Sequence, residues 1–431
     1  MANQTASAPR YLSTFSCIGA ACEDSCCSGW NVTVDKASYK RLKNSSNIEI
    51  SKAVKTYFKT TKETANQNFA SIELDSQGQC PMLDAESMCS IQRKLDHTYL
   101  PRTCADFPRY YFKIGQETSV LGTLACPELA RKCLLDTHAF DRVTIEIPFT
   151  PNQKPPYRGG FNFDAKLHPQ PLQRNFELIR EVILQILKRR DYFLWQRLMA
   201  VGLLSRQLEA LHSLQDQAGT PESIQHDATI AIELQRIWDL LDSGKLKEQL
   251  KDMSGRDNDL LVQQALLKEL TAERLKFNGA QFGGVKFIKF LKCISNAFQG
   301  IEYSESDPEG TATRFKNAEE KWFSPFVEKN PHIAENFIVN LVLTEMFPSP
   351  GEKGIERQWQ EIMLRYAMVR FYLVGLAGKN KETFGNDHFV EVIYSFSREV
   401  LHSNTFLDHM FSRLQKVELM NLATMSILVK D

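Results

Sequence analysis

The sequence predicts a mainly α protein in which an irregular, cysteine-rich N-terminal domain precedes a multi-helix C-terminal region, with no Rossmann fold expected. Three observations carry this. Nine of the ten cysteines fall between Cys17 and Cys133, among short and broken segments. From Leu172 onward apolar residues recur at three- and four-residue steps, the period of an amphipathic helix. Between the two lies a stretch dense in Pro and Gly. The division that follows is a cysteine-rich domain over 1–147, a linker over 148–171 and a helical domain over 172–431.

Composition narrows the classes open to this chain. Its 431 residues suffice for two or three domains, and 43% apolar with 24% charged residues is an ordinary globular balance. Lys plus Arg and Asp plus Glu both number 52, so no global field draws the chain to nucleic acid or an anionic membrane, and any partner is recognised locally. The start, Met-Ala-Asn-Gln-Thr-Ala-Ser-Ala, lacks an apolar signal region, and no apolar run reaches the roughly 18 residues of a membrane span. The expected location is cytoplasmic.

Within the first domain, Ser38 to Leu42 and Ile48 to Lys62 read as helical, and Val143 to Ile147 alternates like a short strand stopped by Pro148. Turn signals stand at Ser28-Gly29, Ser76-Gln77-Gly78 and Cys80-Pro81. In the helical domain, Leu172, Phe176, Ile179, Ile183, Ile186 and Leu187 form one apolar face. Gly219 ends one helix, and Thr220-Pro221 supplies an N-cap with proline in the first turn of the next. Further helices are expected near 222–252, 257–276, 281–299, 330–347, 355–377, 387–402 and 405–427.

The chemistry-bearing pattern is Cys17-x4-Cys22-x3-Cys26-Cys27, followed by Cys80, Cys89, Cys104 and Cys126. Clustered thiols in a reducing compartment point to metal or redox chemistry rather than disulfides. Soft sulfur donors suit zinc and iron–sulfur centres alike, and both use about four ligands, so eight cysteines can fill two sites or leave some as spectators. A zinc site that only holds together a poorly cored domain fits the spacing equally well. The Cys-x3-Cys-x2-Cys arrangement that leaves one iron of a cluster open is not met, because Gly29 stands where the third cysteine would be.

These segments resemble the flagellin lysine-N-methylase family. The shared pattern comprises Cys17 to Trp30, with Asp35 after it, Cys80-Pro81 with Cys89, Cys104 to Pro108-Arg109, and Ala125-Cys126-Pro127; Cys133 and Cys293 fall outside it. Glu335 to Asn340, and Ser395 to Glu399 with His402, look like its more variable landmarks. The resemblance implies methyl transfer from S-adenosylmethionine to lysine amines on flagellin, with an iron–sulfur cluster, 4Fe-4S in type, held in the cysteine-rich part. It places iron–sulfur ahead of zinc.

A lysine amine has a reference pKa near 10.4, so it must lose a proton before it attacks a sulfonium methyl. Glu335 and Tyr366 are the candidate proton acceptors. Asn336 and Asn340 share a helix face and are candidates for binding the donor, as are Arg102 and Arg109 through bidentate contacts to a carboxylate or to cluster sulfurs. The same asparagines suit a pair that knits neighbouring helices, and Arg398 with His402 reads as an ordinary helix-surface pair. With no Gly-x-Gly-x-x-Gly unit, and with Phe282-Gly283-Gly284-Val285 too weak a substitute, donor and substrate are expected at the junction of the two domains. Lys286, Lys289 and Lys292 interleave with apolar residues, a pattern shared by a packed helix with solvated lysines and by a peripheral membrane face. A non-catalytic iron–sulfur or zinc carrier is the competing function.

Overall fold

The computed structural model describes residues 4–29, 32–61, 66–149, 154–161, 170–212, 214–216, 219–251, 259–281, 288–349, 353–401, 408, 411–412, 414–415 and 420–430. Among the described residues, eight strands lie in the first 161 positions: β1 (Gln4–Pro9), β2 (Thr33–Val34), β3 (Phe58–Thr60), β4 (Ala70–Ile72), β5 (Arg109–Ile114), β6 (Glu117–Gly122), β7 (Arg142–Ile147) and β8 (Tyr157–Phe161). Helices dominate the rest.

The N-terminal part is more regular than its sequence suggests. Strands β7-β1-β6-β5-β8 form a mixed sheet in that order, and β2-β4-β3 form a small antiparallel one. Strands β5 and β6 make a hairpin whose turn begins at Gly115, at a φ of +58° that a residue with a Cβ rarely adopts. Strand β1 pairs antiparallel with β7 from Gln4–Ile147 to Pro9–Arg142, which bears out the alternating strand expected at 143–147. Strand β8 lies inside the stretch expected as linker and pairs parallel with β5. A five-residue alternation broken by Gly159 and Gly160 gives little strand signal in the sequence, and the sheet edge supplies the order instead.

Side-chain caps set several helix starts. Asp35 accepts from the Ser38 N–H at 2.9 Å to open Lys36–Lys43, and Asn47 accepts from Glu49 and Ile50 to open Ile48–Tyr57. Thr220 and Pro221 open Pro221–Asp242 as expected. Gly219 does not end a helix; it sits in a turn at φ +87°. The helix expected across 222–252 breaks at Ser243-Gly244, where Gly244 has a φ of +72°, and resumes as Lys245–Lys251. Part of the last expected helix, 405–427, lies outside the described residues, and Leu422–Val429 is helical.

Among the described residues two apolar cores stand out, beside a third, minor cluster of Phe112, Ile114, Leu121, Phe176 and Met346. The larger takes in Tyr11, Tyr111, Leu129 and Phe149 from the sheet and its helix together with Leu198, Phe337, Trp359 and Phe371 from the helical region. Its axis is the 26-residue helix Ile355–Asn380, buried from Trp359 to Ala377. That helix and Ile288–Gly300 meet backbone to backbone: a Cβ at Gly300 would stand 1.8 Å from the Gly375 carbonyl oxygen. Around Trp359, Gly202 leaves room for the indole, whose N–H donates to the Leu198 carbonyl at 2.9 Å. The smaller core is Val32, Val34, Leu42, Ile50, Val54, Phe58, Ala70, Ile72, Cys80, Met82, Ile91 and Leu100, with Cys27, Cys89 and Cys104 packed on it.

Candidate metal centre

Beside the smaller core lies a cavity of about 470 Å³, and all eight cysteines of the pattern line it: Cys17, Cys22, Cys26, Cys27, Cys80, Cys89, Cys104 and Cys126. Phe15, Ile18, Met82, Ile91, Phe107 and Arg109 form part of its wall. The cysteines come from separate pieces of chain, each fixed by backbone bonds. Cys27 N donates to Ser25 Oγ at 3.1 Å, Gly29 N donates to the Gly78 carbonyl at 2.6 Å with φ +68°, and Cys80 N donates to the Cys27 carbonyl at 2.8 Å. These bonds tie the adjacent cysteine pair to the Gly78–Cys80 segment, where Gln79 forms an isolated bridge with Ser28. Cys89 and Cys126 are N-cap residues of Ser90–Lys94 and Pro127–Leu135, and Cys104 rides on Arg102–Asp106.

The thiols shape one another's chemistry. All ten cysteines are free of disulfides. Burial pushes Cys80 up to about 11 and Cys126 up to about 12. Burial likewise raises Cys22, Cys89 and Cys104, and neighbouring cysteines add to each of these shifts. Cys26 is raised first by its hydrogen bond with Cys27 and then by burial. Backbone N–H groups of Glu128 and Leu129 at the opening of the Pro127–Leu135 helix act the other way on Cys126, as expected where a helix N-terminus meets an anion. Thiols so crowded stay protonated unless a cation compensates their charge. As the side chains stand, no three His, Cys, Asp or Glu among the described residues converge closely enough to hold a metal ion. The donor set is chemically suited to a soft metal; its present arrangement lines a space rather than a point. Cys133 and Cys293 lie elsewhere, Cys133 buried in the larger core and Cys293 beside Ser395 Oγ at 3.7 Å.

The loop between Cys22 and Cys26 is clasped by helices far along the chain. Arg398, expected on a helix surface, has a side chain only 4% exposed. Its Nη1 meets Asp24 Oδ1 at 2.7 Å and donates to the Asp24 carbonyl at 3.0 Å, while Nη2 donates to the carbonyls of Ser25 at 2.8 Å and Ser28 at 3.1 Å. His402 lies outside the described residues. Lys289 donates to the Glu23 carbonyl, and Arg131 pairs with the Glu23 carboxylate at 2.6 Å. Lys289 is thus engaged with the cysteine loop, while Lys286 and Phe282 to Val285 lie outside the described residues. No local pattern marks Glu23, Asp24, Arg131 or Lys289 as partners; their contacts span 108 to 374 positions.

The other candidates divide between cavity and scaffold. Arg109 lines the cavity, its guanidinium 5.3 Å from the centroid of the Phe15 ring. Arg102 stacks over Phe149 at 4.4 Å and donates from Nε to Asp106 at 2.6 Å; its Nη2 is buried with no hydrogen-bond partner. Glu335 is held by Arg197 at 2.8 Å and by both arms of Arg190 at 3.0 and 3.1 Å. Asn336 donates to the carbonyls of Cys133 and Asp136 at 2.9 Å, closing the end of the helix that Cys126 opens. Asn340 accepts from Tyr11 Oη at 2.8 Å and donates to the Gly122 carbonyl. Tyr366 is buried in the central helix. Trp30 lies outside the described residues, and Asp35 serves as an N-cap.

Fold and site together define a helix-rich protein that holds a thiol-lined cavity against its helical part through a buried arginine. Residues 180–428 match the family described as the FliB lysine N-methylase C-terminal domain. The chain belongs to this FliB lysine N-methylase family. It is similar to proteins named Lysine-N-methylase from Salmonella typhimurium and Salmonella choleraesuis, 35% identical over 136 residues, which is 31% of this chain and 34% of each relative. It is equally similar, at 35% over 136 residues, to the Flagellar biosynthetic protein FliU of Salmonella muenchen, across 80% of that protein. The chain thus spans about a third of the length of the two lysine N-methylases. No solved structure matches it. No helix among the described residues is long and apolar enough to cross a membrane.

Proposed function

We propose that this protein is a cytoplasmic, S-adenosylmethionine-dependent protein-lysine N-methyltransferase that acts on flagellin and carries an iron–sulfur cluster of the 4Fe-4S type in its cysteine cavity. The supporting observation is the convergence of all eight patterned cysteines on one cavity, docked by helices of the region that matches the lysine N-methylase family. Cys17, Cys22, Cys26, Cys27, Cys80, Cys89, Cys104 and Cys126 are the ligand pool. When bound, the metal supplies the positive charge that lets these crowded thiols ionise together. Zinc is the alternative metal for the same donors.

The chain's own residues would do the rest. Arg109 on the cavity wall offers a fork of donors for the carboxylate of the methyl donor. Phe15, Ile18 and Phe107 exclude water there, and a desolvated amine gives up its proton more readily. Arg102 and Asn336 support this site from behind, through the helices that carry Cys104 and Cys126, and Asn340 does so through Tyr11 and the Gly122 carbonyl. Neither Glu335 nor Tyr366 lines this cavity, so for either to accept the lysine proton the site must rearrange. For Glu335 this requires its pairs with Arg190 and Arg197 to open, so Glu335→Gln tests that role directly.

The test is anaerobic purification followed by incubation with S-adenosylmethionine and unmodified flagellin, reading lysine mass alongside iron, sulfide and zinc. Added multiples of a methyl mass with iron and sulfide present are expected. Full metal loading with no added mass overturns the enzyme and leaves the metal carrier; zinc without sulfide overturns the cluster.

A further inference from the structure

We propose that Arg398 is a positioning residue of the cysteine centre: from the helical side it fixes the turn that carries Cys26 and Cys27, and so couples metal ligation to the Asn386–Glu399 helix. This rests on the reading of the cavity as a metal centre.

The carbonyls that Arg398 holds, those of Asp24, Ser25 and Ser28, bracket the cysteine pair on both sides. The turn is tight, with Ser28 N donating to the Ser25 carbonyl at 3.3 Å, so any shift of those carbonyls swings both thiols. A guanidinium presents several donors in one rigid plane and serves three carbonyls and a carboxylate together; an ammonium on a flexible stem does not. The contact is buried, with side chains of Arg398 and Asp24 4% and 17% exposed, so water does not readily replace it. The neighbouring anchor differs. Arg131 and Glu23 are 34% and 36% exposed, where an ion pair contributes little. The helix bearing Arg398 has a separate apolar anchor, since Phe389 stacks on Phe323 and Phe396 packs edge-on to Phe290. Loss of the guanidinium therefore loosens the turn before it loosens the helix.

The test uses the full chain, freed of metal under reducing, anaerobic conditions and titrated with Co²⁺ alone, read by thiolate-to-cobalt absorption. Arg398→Ala is expected to weaken Co²⁺ binding by about 10- to 100-fold, the usual effect of removing an outer-shell partner, and to change the band shape as two thiolates lose their place. Arg398→Lys and Asp24→Asn should each fall between Arg398→Ala and the unaltered protein, added guanidinium should restore part of the affinity of Arg398→Ala, and Arg131→Ala should stay close to the unaltered protein. Equal affinity and identical spectra for Arg398→Ala and the unaltered protein overturn the positioning role. If Arg398→Ala does not fold by circular dichroism, Arg398→Lys and Asp24→Asn decide, and unaltered Co²⁺ binding in both overturns it. Absence of any thiolate-to-cobalt band in the unaltered protein overturns the metal centre itself, and this proposal with it.

Discussion

The two principal apolar cores differ in what holds them. The larger is closed by aromatic and aliphatic packing around one 26-residue helix, with buried ion pairs such as Arg197–Glu335 and Arg370–Glu319 inside it. The smaller rests on short strands, two capped helices and a wall of cysteines whose thiolate charges would repel one another. A small core of this kind gains little from area alone, and cross-linking by a metal is the usual remedy. The comparison teaches that one chain uses two stabilising chemistries, joined where Arg398 and Lys289 reach the cysteine loop.

Metal removal should separate the two most sharply. Structural thiolate sites contribute on the order of 10 kcal/mol to folding of small domains. A chelator should therefore abolish hydrogen-exchange protection over 32–105 while leaving Ile355–Asn380 protected. Equal loss in both would show that the cores are one cooperative unit.

Trp359→Ala strikes the other core. It removes a fully buried indole and its hydrogen bond to Leu198, and should cost about 3–5 kcal/mol in urea unfolding followed by circular dichroism. Co²⁺ binding at the cysteines should barely change. A strong loss of metal affinity would mean that the helical core shapes the cavity more than Arg398 alone does.

Opposite responses to pH sharpen the contrast. In metal-free protein, Cys80 is raised by burial from about 9 to about 11, so its contribution is complete below pH 9 and lost as pH rises toward 11. For Asp216, burial alone would raise the pKa, but hydrogen bonds from Arg174 and His226 hold it below its ordinary value. That contribution is complete above the unfolded carboxylate's pKa, near 4, and is lost as pH falls from there through the lower folded value. Exchange measured at both extremes should therefore show the cysteine core opening first in alkali and the packing of Arg174 against Pro221–Asp242 opening first in acid. The smallest effect belongs to Asn47→Ala, which removes the cap of Ile48–Tyr57 and should cost about 1 kcal/mol, confined to the smaller core.

The sequence was most legible where order is local. The apolar period appears as the helix Phe176–Leu187, with Leu172 in a separate short helix Pro171–Arg174, and the Thr220-Pro221 start appears where expected. The cysteine pattern is likewise local enough to read, and all eight members share one cavity. Order that depends on distant pairing was hidden. Strand β1 is specified by β7 and β6, more than 110 residues away, and Arg398 meets carbonyls 370 to 374 positions earlier. Asn336 and Asn340 illustrate the limit of periodicity: it placed both on one face, but only the fold shows that this face meets the Cys133–Asp136 turn and Gly122.

The helix Pro127–Leu135 acts as a spacer of set length. Cys126 opens it, Asn336 closes it, and nine residues separate the two jobs. An α-helix turns about 100° per residue. Deleting one residue from its middle would leave Asn336 at its post while swinging Cys126 roughly a quarter-turn out of the cavity. Side chains along that helix can vary, but its residue count is part of the site.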